Sequence, residues 1–134
     1  MTMLGSWNPE SERANIAGNI DLQQFIAGGD EHLVVSTCQK LSAEKIAEII
    51  PLMTQSRDFW LTAATDLSTA EILNLMRFFT LAEEQHSALA AGNKSPVIGL
   101  NKLLKSRQET LPSDFLQWLK AHSSNRFIPN GSIL

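Results

Sequence analysis

Three stretches of this chain repeat one helical opening: Leu41-Ser42-Ala43-Glu44-Lys45-Ile46, Leu67-Ser68-Thr69-Ala70-Glu71-Ile72 and Leu111-Pro112-Ser113-Asp114-Phe115-Leu116. Each sets a hydroxyl residue at or near the cap position and then runs into apolar residues at helical spacing. A Ser or Thr there accepts a hydrogen bond from an unpaired N–H of the first turn, so the pattern marks helix starts. Composition points the same way, with 18 Leu and 13 Ala against 3 Val and no Tyr, since β-branched and aromatic residues are the ones that favour strands. Val34-Val35 is the one strand-like stretch, and it is too short and isolated to found a sheet. The expected architecture is all-α: a compact bundle of about five to seven helices in a single domain over residues 1–134. Residues 1–12 read as a loose N-terminal arm that Trp7 could pin to the body, and residues 123–134 as an extended tail packed on the bundle.

Punctuation divides the chain further. A first helix is expected from about Pro9 to Ala27, with Gly18 as its weak point and Gly28-Gly29 as its stop. Asp30 is placed to cap a second helix through Lys40, and Ser42 a third. Pro51 either kinks that third helix or opens a new segment. Ser56 caps Arg57–Asp66. The clearest pattern spans Ser68 to Ala91, where Ser68 and Glu71 have capping-box spacing and Ile72, Leu75, Met76, Phe79, Ala82, His86 and Leu89 share a face. Gly92 is expected to end it, Ser95-Pro96 to begin the next helix, and Pro112–His122 to form the last. Phe78 and Phe79 cannot both face one core, so one should point to a second layer, a dimer seam or the tail. Leu41–Thr54 also aligns on Leu67–Thr80 without a gap, a candidate two-unit repeat.

Charge is unevenly spread. Residues 1–93 hold 5 Lys and Arg against 12 Asp and Glu, whereas residues 94–134 hold 6 against 2. The basic end comprises Lys94, Lys102, Lys105, Arg107, Lys120 and Arg126. It could meet an acidic partner, but it is sparse beside the dense patches of nucleic-acid binders, so nucleic acid is not expected. A lone cysteine, Cys38, excludes an intrachain disulfide and reads as a small buried hydrophobe suited to a reducing cytoplasm. No stretch approaches the roughly 20 apolar residues of a membrane span, and Met1–Glu12 lacks the features of a secretory signal. The expected location is cytoplasmic, with no membrane contact.

Two constellations could carry chemistry. Glu83-Glu84-Gln85-His86 sets a carboxylate and an imidazole one turn apart, the half-motif of di-iron and di-manganese bundles. Those centres need two such motifs and further carboxylates; His32 and His122 lack the upstream acid, so Glu83 and His86 form a candidate metal pair without the rest of its shell. Gly92-Asn93-Lys94-Ser95-Pro96 places a lysine and a hydroxyl before a helix, where free N–H groups welcome an anion, yet it lacks the spacing of a nucleotide loop. No Ser-His-Asp arrangement is legible.

The segments Ala91-Gly92-Asn93-Lys94-Ser95-Pro96-Val97-Ile98 and Asn125-Arg126-Phe127-Ile128-Pro129-Asn130-Gly131-Ser132-Ile133-Leu134 resemble a small bacterial all-helical protein family without an assigned reaction or ligand. The likeness covers roughly residues 58–134 and departs at Ser87-Ala88-Leu89, where the family pattern has an aromatic. It implies a helical fold and draws attention to Lys94, Ser95, Asn125, Arg126 and Pro129 as a candidate ligand- or anion-binding set. Were the tail to fold back on the Gly92–Pro96 turn, Lys94 and Arg126 would form one positive corner. The leading functional expectation is a small non-catalytic interaction or regulatory domain, without cofactor, that binds a protein partner or a second copy of itself. The alternatives are a ligand- or metal-binding protein or enzyme built on Lys94-Ser95 with Arg126 or on Glu83 with His86, and weak nucleic-acid association through the basic end.

Overall fold

The structure is a computed structural model that describes residues 22–130. The expected N-terminal arm, Trp7, the Gly18 break and the final residues Gly131 to Leu134 lie outside the described residues. Within them the chain forms seven α-helices and no strand. They are α1 (Leu22–Gly28), α2 (Val34–Gln39), α3 (Ala43–Met53), α4 (Arg57–Ala63), α5 (Thr69–Gln85), α6 (Pro96–Ser106) and α7 (Ser113–His122), with two 3-10 turns, Ser87–Leu89 and Gly92–Lys94, between α5 and α6.

Three serine caps form as their spacing predicts, whereas Ser113 does not cap α7, whose N-cap is Pro112 with no side-chain bond. Ser42, Ser56 and Ser68 each take extended backbone and accept from the N–H three residues on. Glu71 returns the bond to the Ser68 N–H at 2.9 Å and closes the capping box. Pro51 neither opens a segment nor stops α3 at once; it sits in the last turn, which ends two residues later at Met53. The two aligned segments thus share a cap but not a role, since α3 has 11 residues and lies outside the centre whereas α5 has 17 and runs through it. Asp30 caps a turn rather than a helix: its carboxylate accepts from the His32 N–H at 2.9 Å, and α2 proper starts only at Val34.

Helix α5 is the axis. α1 and α2 pack on it, α6 and α7 pack on it, and α4 lies against α6. Six consecutive residues, Phe78 to Glu83, are buried, so that stretch of α5 is enclosed around its whole circumference rather than along one stripe. That resolves the adjacent phenylalanines. Phe78 meets Phe25 of α1 at 4.9 Å between ring centroids, and Phe79 meets Trp60 of α4 at 5.5 Å. Both point into the protein's own layers, and the pair leaves no aromatic seam for a second copy.

Two arginines finish exposed helix ends. Arg77 of α5 donates Nε–H to the Gly29 carbonyl at 2.8 Å, beside Asn74, which donates to the Ile26 carbonyl at 2.9 Å. These bonds satisfy orphan carbonyls where α1 stops. Arg107, which follows α6, donates to the carbonyls of Leu67 at 2.8 Å and Thr65 at 2.6 Å, just beyond α4. One member of the basic end is therefore turned inward to backbone.

α4 and α6 approach closely at Gly99. A Cβ there would lie 2.7 Å from Trp60 Cδ1 and 3.0 Å from Trp60 Cβ, with Trp60 itself buried. Gly99→Ala should therefore destabilise the fold by about 1–3 kcal/mol through overpacking. Urea unfolding should show a lower midpoint at an unchanged slope, and an equal midpoint would contradict this packing.

A candidate site where the tail meets the end of helix α5

The expected helix over Ser68–Ala91 ends six residues early, at Gln85, and its end creates the site. His86 turns extended (φ −131°, ψ 110°), and its Nε2 lies 2.7 Å from the Cys38 carbonyl at the end of α2, which makes that nitrogen the donor. Leu89, expected on the same helix face, is instead buried by the following 3-10 turn. Gly92 does not stop α5; it starts the second 3-10 turn with φ +56°, a left-handed conformation that suits glycine. These turns reverse the chain so that Ala91 and Ser95 come back over Glu83.

Glu83 is 8 % exposed and receives three donors from separate segments. Ser95 Oγ donates to Oε2, while the Ala91 N–H and Asn125 Nδ2 reach Oε1, each at 3.3 Å. Asn125 Nδ2 also donates to the Gly92 carbonyl at 2.9 Å, and its Oδ1 accepts from the Phe127 N–H at 3.0 Å. One amide thereby fixes the 91–95 turn, the tail and the end of α5 together. Ser95 Oγ accepts from the Val97 N–H at 3.2 Å as well, serving as the cap of α6. Next door, Glu84 Oε1 accepts from Ser124 N–H at 2.9 Å and Oγ at 3.0 Å. The tail past α7 is therefore held by two consecutive carboxylates.

Glu83, Glu84, Gly92, Ser124 and Asn125, with Arg126 and Phe127, line a cleft of about 400 Å³. Among the described residues no lysine or arginine forms an ion pair with Glu83 or Glu84. Burial, with a smaller push from the Glu84 charge, raises the Glu83 carboxyl to about 7 from its ordinary 4.5, against the pull of Ser95, Ala91 and Asn125. Burial likewise pushes the Cys38 thiol up to about 12, so that sulfur is a core atom rather than a nucleophile.

The sequence-derived candidates are thus partly gathered. Ser95 and Asn125 meet on Glu83, and Arg126 lines the same cleft. Lys94 does not line the same cleft: the tail does fold back, but Lys94 lines a second cleft, with Arg57. Glu83 and His86 face different partners because α5 ends between them, and among the described residues no three His, Cys, Asp or Glu side chains group as a metal site. Glu84 was the residue missed in the sequence; its position beside the tail depends on where α7 delivers Ser124, which spacing along the chain does not reveal. No protein-family model, curated protein or solved structure matches the chain.

A raised carboxyl has a definite consequence for stability. Between about pH 4.5 and 7 the folded state keeps a proton that the unfolded chain has released, so Glu83's contribution is full below 4.5 and is lost as pH rises to about 7. The loss amounts to about 3 kcal/mol. Denaturation of wild type and Glu83→Gln across this range should diverge by that order, with the glutamine variant gaining relative to wild type toward pH 8. Parallel profiles would show that Glu83 titrates normally.

Proposed function

We propose that this chain is a small, non-catalytic interaction or regulatory domain of the cytoplasm, and that the tail cleft receives a basic segment of a protein partner. The observation that carries the reading is a buried carboxylate, Glu83, held by three neutral donors, with a second carboxylate, Glu84, beside it on the wall of an open cleft. Removing an ionised carboxylate from water costs several kcal/mol unless a counter-charge is supplied. A lysine or arginine entering the cleft would supply it.

Binding rather than reaction is favoured by the state of the nucleophilic groups. Ser95 is buried, donates a hydrogen bond to Glu83 and accepts one from Val97 N–H, and it does not line the cleft. Cys38 is enclosed beneath α5, where its thiol approaches the Phe78 carbonyl at 3.5 Å. No helix among the described residues is long and apolar enough to cross a membrane.

The reading is tested by titrating the isotope-labelled full chain with a lysine-rich peptide and following backbone amides. Saturable shifts should appear at Gly92, Ser124, Asn125 and Phe127, and affinity should fall with added salt. Glu84→Gln, which keeps an acceptor for Ser124 but removes the charge, should weaken binding about tenfold, within the range of a hydrogen-bonded charge. Affinity for wild type should also rise from pH 6 to pH 8 as Glu83 ionises. Absent or unsaturable shifts, or equal affinity for Glu84→Gln, would overturn the proposal.

A further inference from the structure

A second polar concavity lies on the opposite sign of charge. Arg57, the first residue of α4, is exposed and forms the wall between two neighbouring clefts. The smaller, about 100 Å³, is lined also by Lys102 and Lys105, which stand one turn apart on α6, and by Asn101 and Asn130. The larger, about 380 Å³, carries Ser56, Asn93 and Lys94. Four cations therefore line two clefts that share Arg57, in a chain whose net charge is −3.

Among the described residues, Lys102 is the one of these four cations that forms an ion pair. Lys102 Nζ pairs with Asp58 at 3.2 Å in the open. Among the described residues, Lys105 Nζ donates to a neutral amide oxygen, Asn130 Oδ1, at 2.9 Å, and Arg57 to a carbonyl, that of Asn93, at 3.4 Å. A buried amide ties the floor of the small cleft to the tail. Asn101 is 4 % exposed and donates to the Pro129 carbonyl at 3.1 Å and to Asn130 Oδ1 at 3.3 Å, which sets the tail as one side of the small cleft. A buried amide thus holds the place where Arg57, Lys102 and Lys105 converge.

We propose that this is a binding site for a small phosphorylated molecule: one phosphoryl group sits between Arg57, Lys102 and Lys105, and a second lies beyond Arg57 within reach of Lys94. The smaller cleft offers the room of roughly three waters, suited to a tetrahedral oxyanion and too small for a ring. Arg57, between the clefts, can fork its planar donors to both groups, as guanidinium does with phosphate oxygens. A nucleic acid strand would want a longer basic track with exposed rings for stacking, and Arg107, which would extend the track along α6, is bound to backbone carbonyls. The proposal is independent of the tail cleft's function and shares none of its charged residues.

Calorimetry of the full chain with pyrophosphate at low salt should give one saturable site. Arg57→Ala and Lys105→Ala should each weaken it about tenfold, whereas Lys120→Ala, a cation exposed on α7, should leave it unchanged; circular dichroism should match wild type in all three. Inorganic phosphate should bind more weakly than pyrophosphate, because it fills only one of the two places. No saturable binding, or equal weakening by Lys120→Ala, would overturn the site. Phosphate binding as tightly as pyrophosphate would overturn the two-group arrangement, and a short single-stranded oligonucleotide binding more tightly than pyrophosphate would replace it with a nucleic-acid surface.

Discussion

A carboxylate cannot be taken out of water without donors to meet it, and Glu83 is the place where this chain answers that demand. The donors come from Ala91, Ser95 and Asn125, which belong to a turn, a helix cap and the tail. Glu83 gives them a common address, and the walls of the tail cleft follow from that meeting. Burial of Glu83 in turn depends on the packing around Phe78 to Ala82 just before it, so packing and electrostatics at this point are one constraint.

Much of the fold could be read from the letters because helix starts are written locally. A serine cap and its partner three residues later act through backbone within one turn, and Ser42, Ser56, Ser68 and Ser95 all stand where their spacing put them. Helix ends were less legible. α5 stops at Gln85, not at Gly92, because the His86 ring reaches the Cys38 carbonyl, a contact between residues 48 positions apart. Glycine marks a permissive backbone, and at Gly92 it marks a turn rather than a stop. The adjacent Phe78 and Phe79 signalled correctly that α5 has two packed sides, while leaving open which neighbours cover them.

The candidate site was visible in its residue types and invisible in its grouping. Ser95, Asn125 and Arg126 were singled out for polarity within turn-like segments, and Glu83 for its spacing to His86; the grouping that forms instead joins Glu83 to Ser95 and Asn125. The difference is a long-range one, since the tail must return across 42 residues for Asn125 to reach Glu83. The basic end divided in a similar way. Arg107 was drawn into helix capping, Lys94 turned toward Arg57, and Lys102 and Lys105 joined that same face from α6. Arg57 belongs to the acidic part of the chain, so no count of charge along the sequence would place it there.

The functional account needs Glu83 to be a reluctant anion, one that is destabilised in the resting protein and that an incoming cation would satisfy. The most direct measurement is the carboxyl carbon shift of Glu83 followed by NMR against pH in the free protein. The account predicts a midpoint close to 7, with the Asn125 side-chain amide signals moving in step as the acceptor gains charge. A midpoint near 4.5, or an Asn125 amide indifferent to the transition, would contradict it.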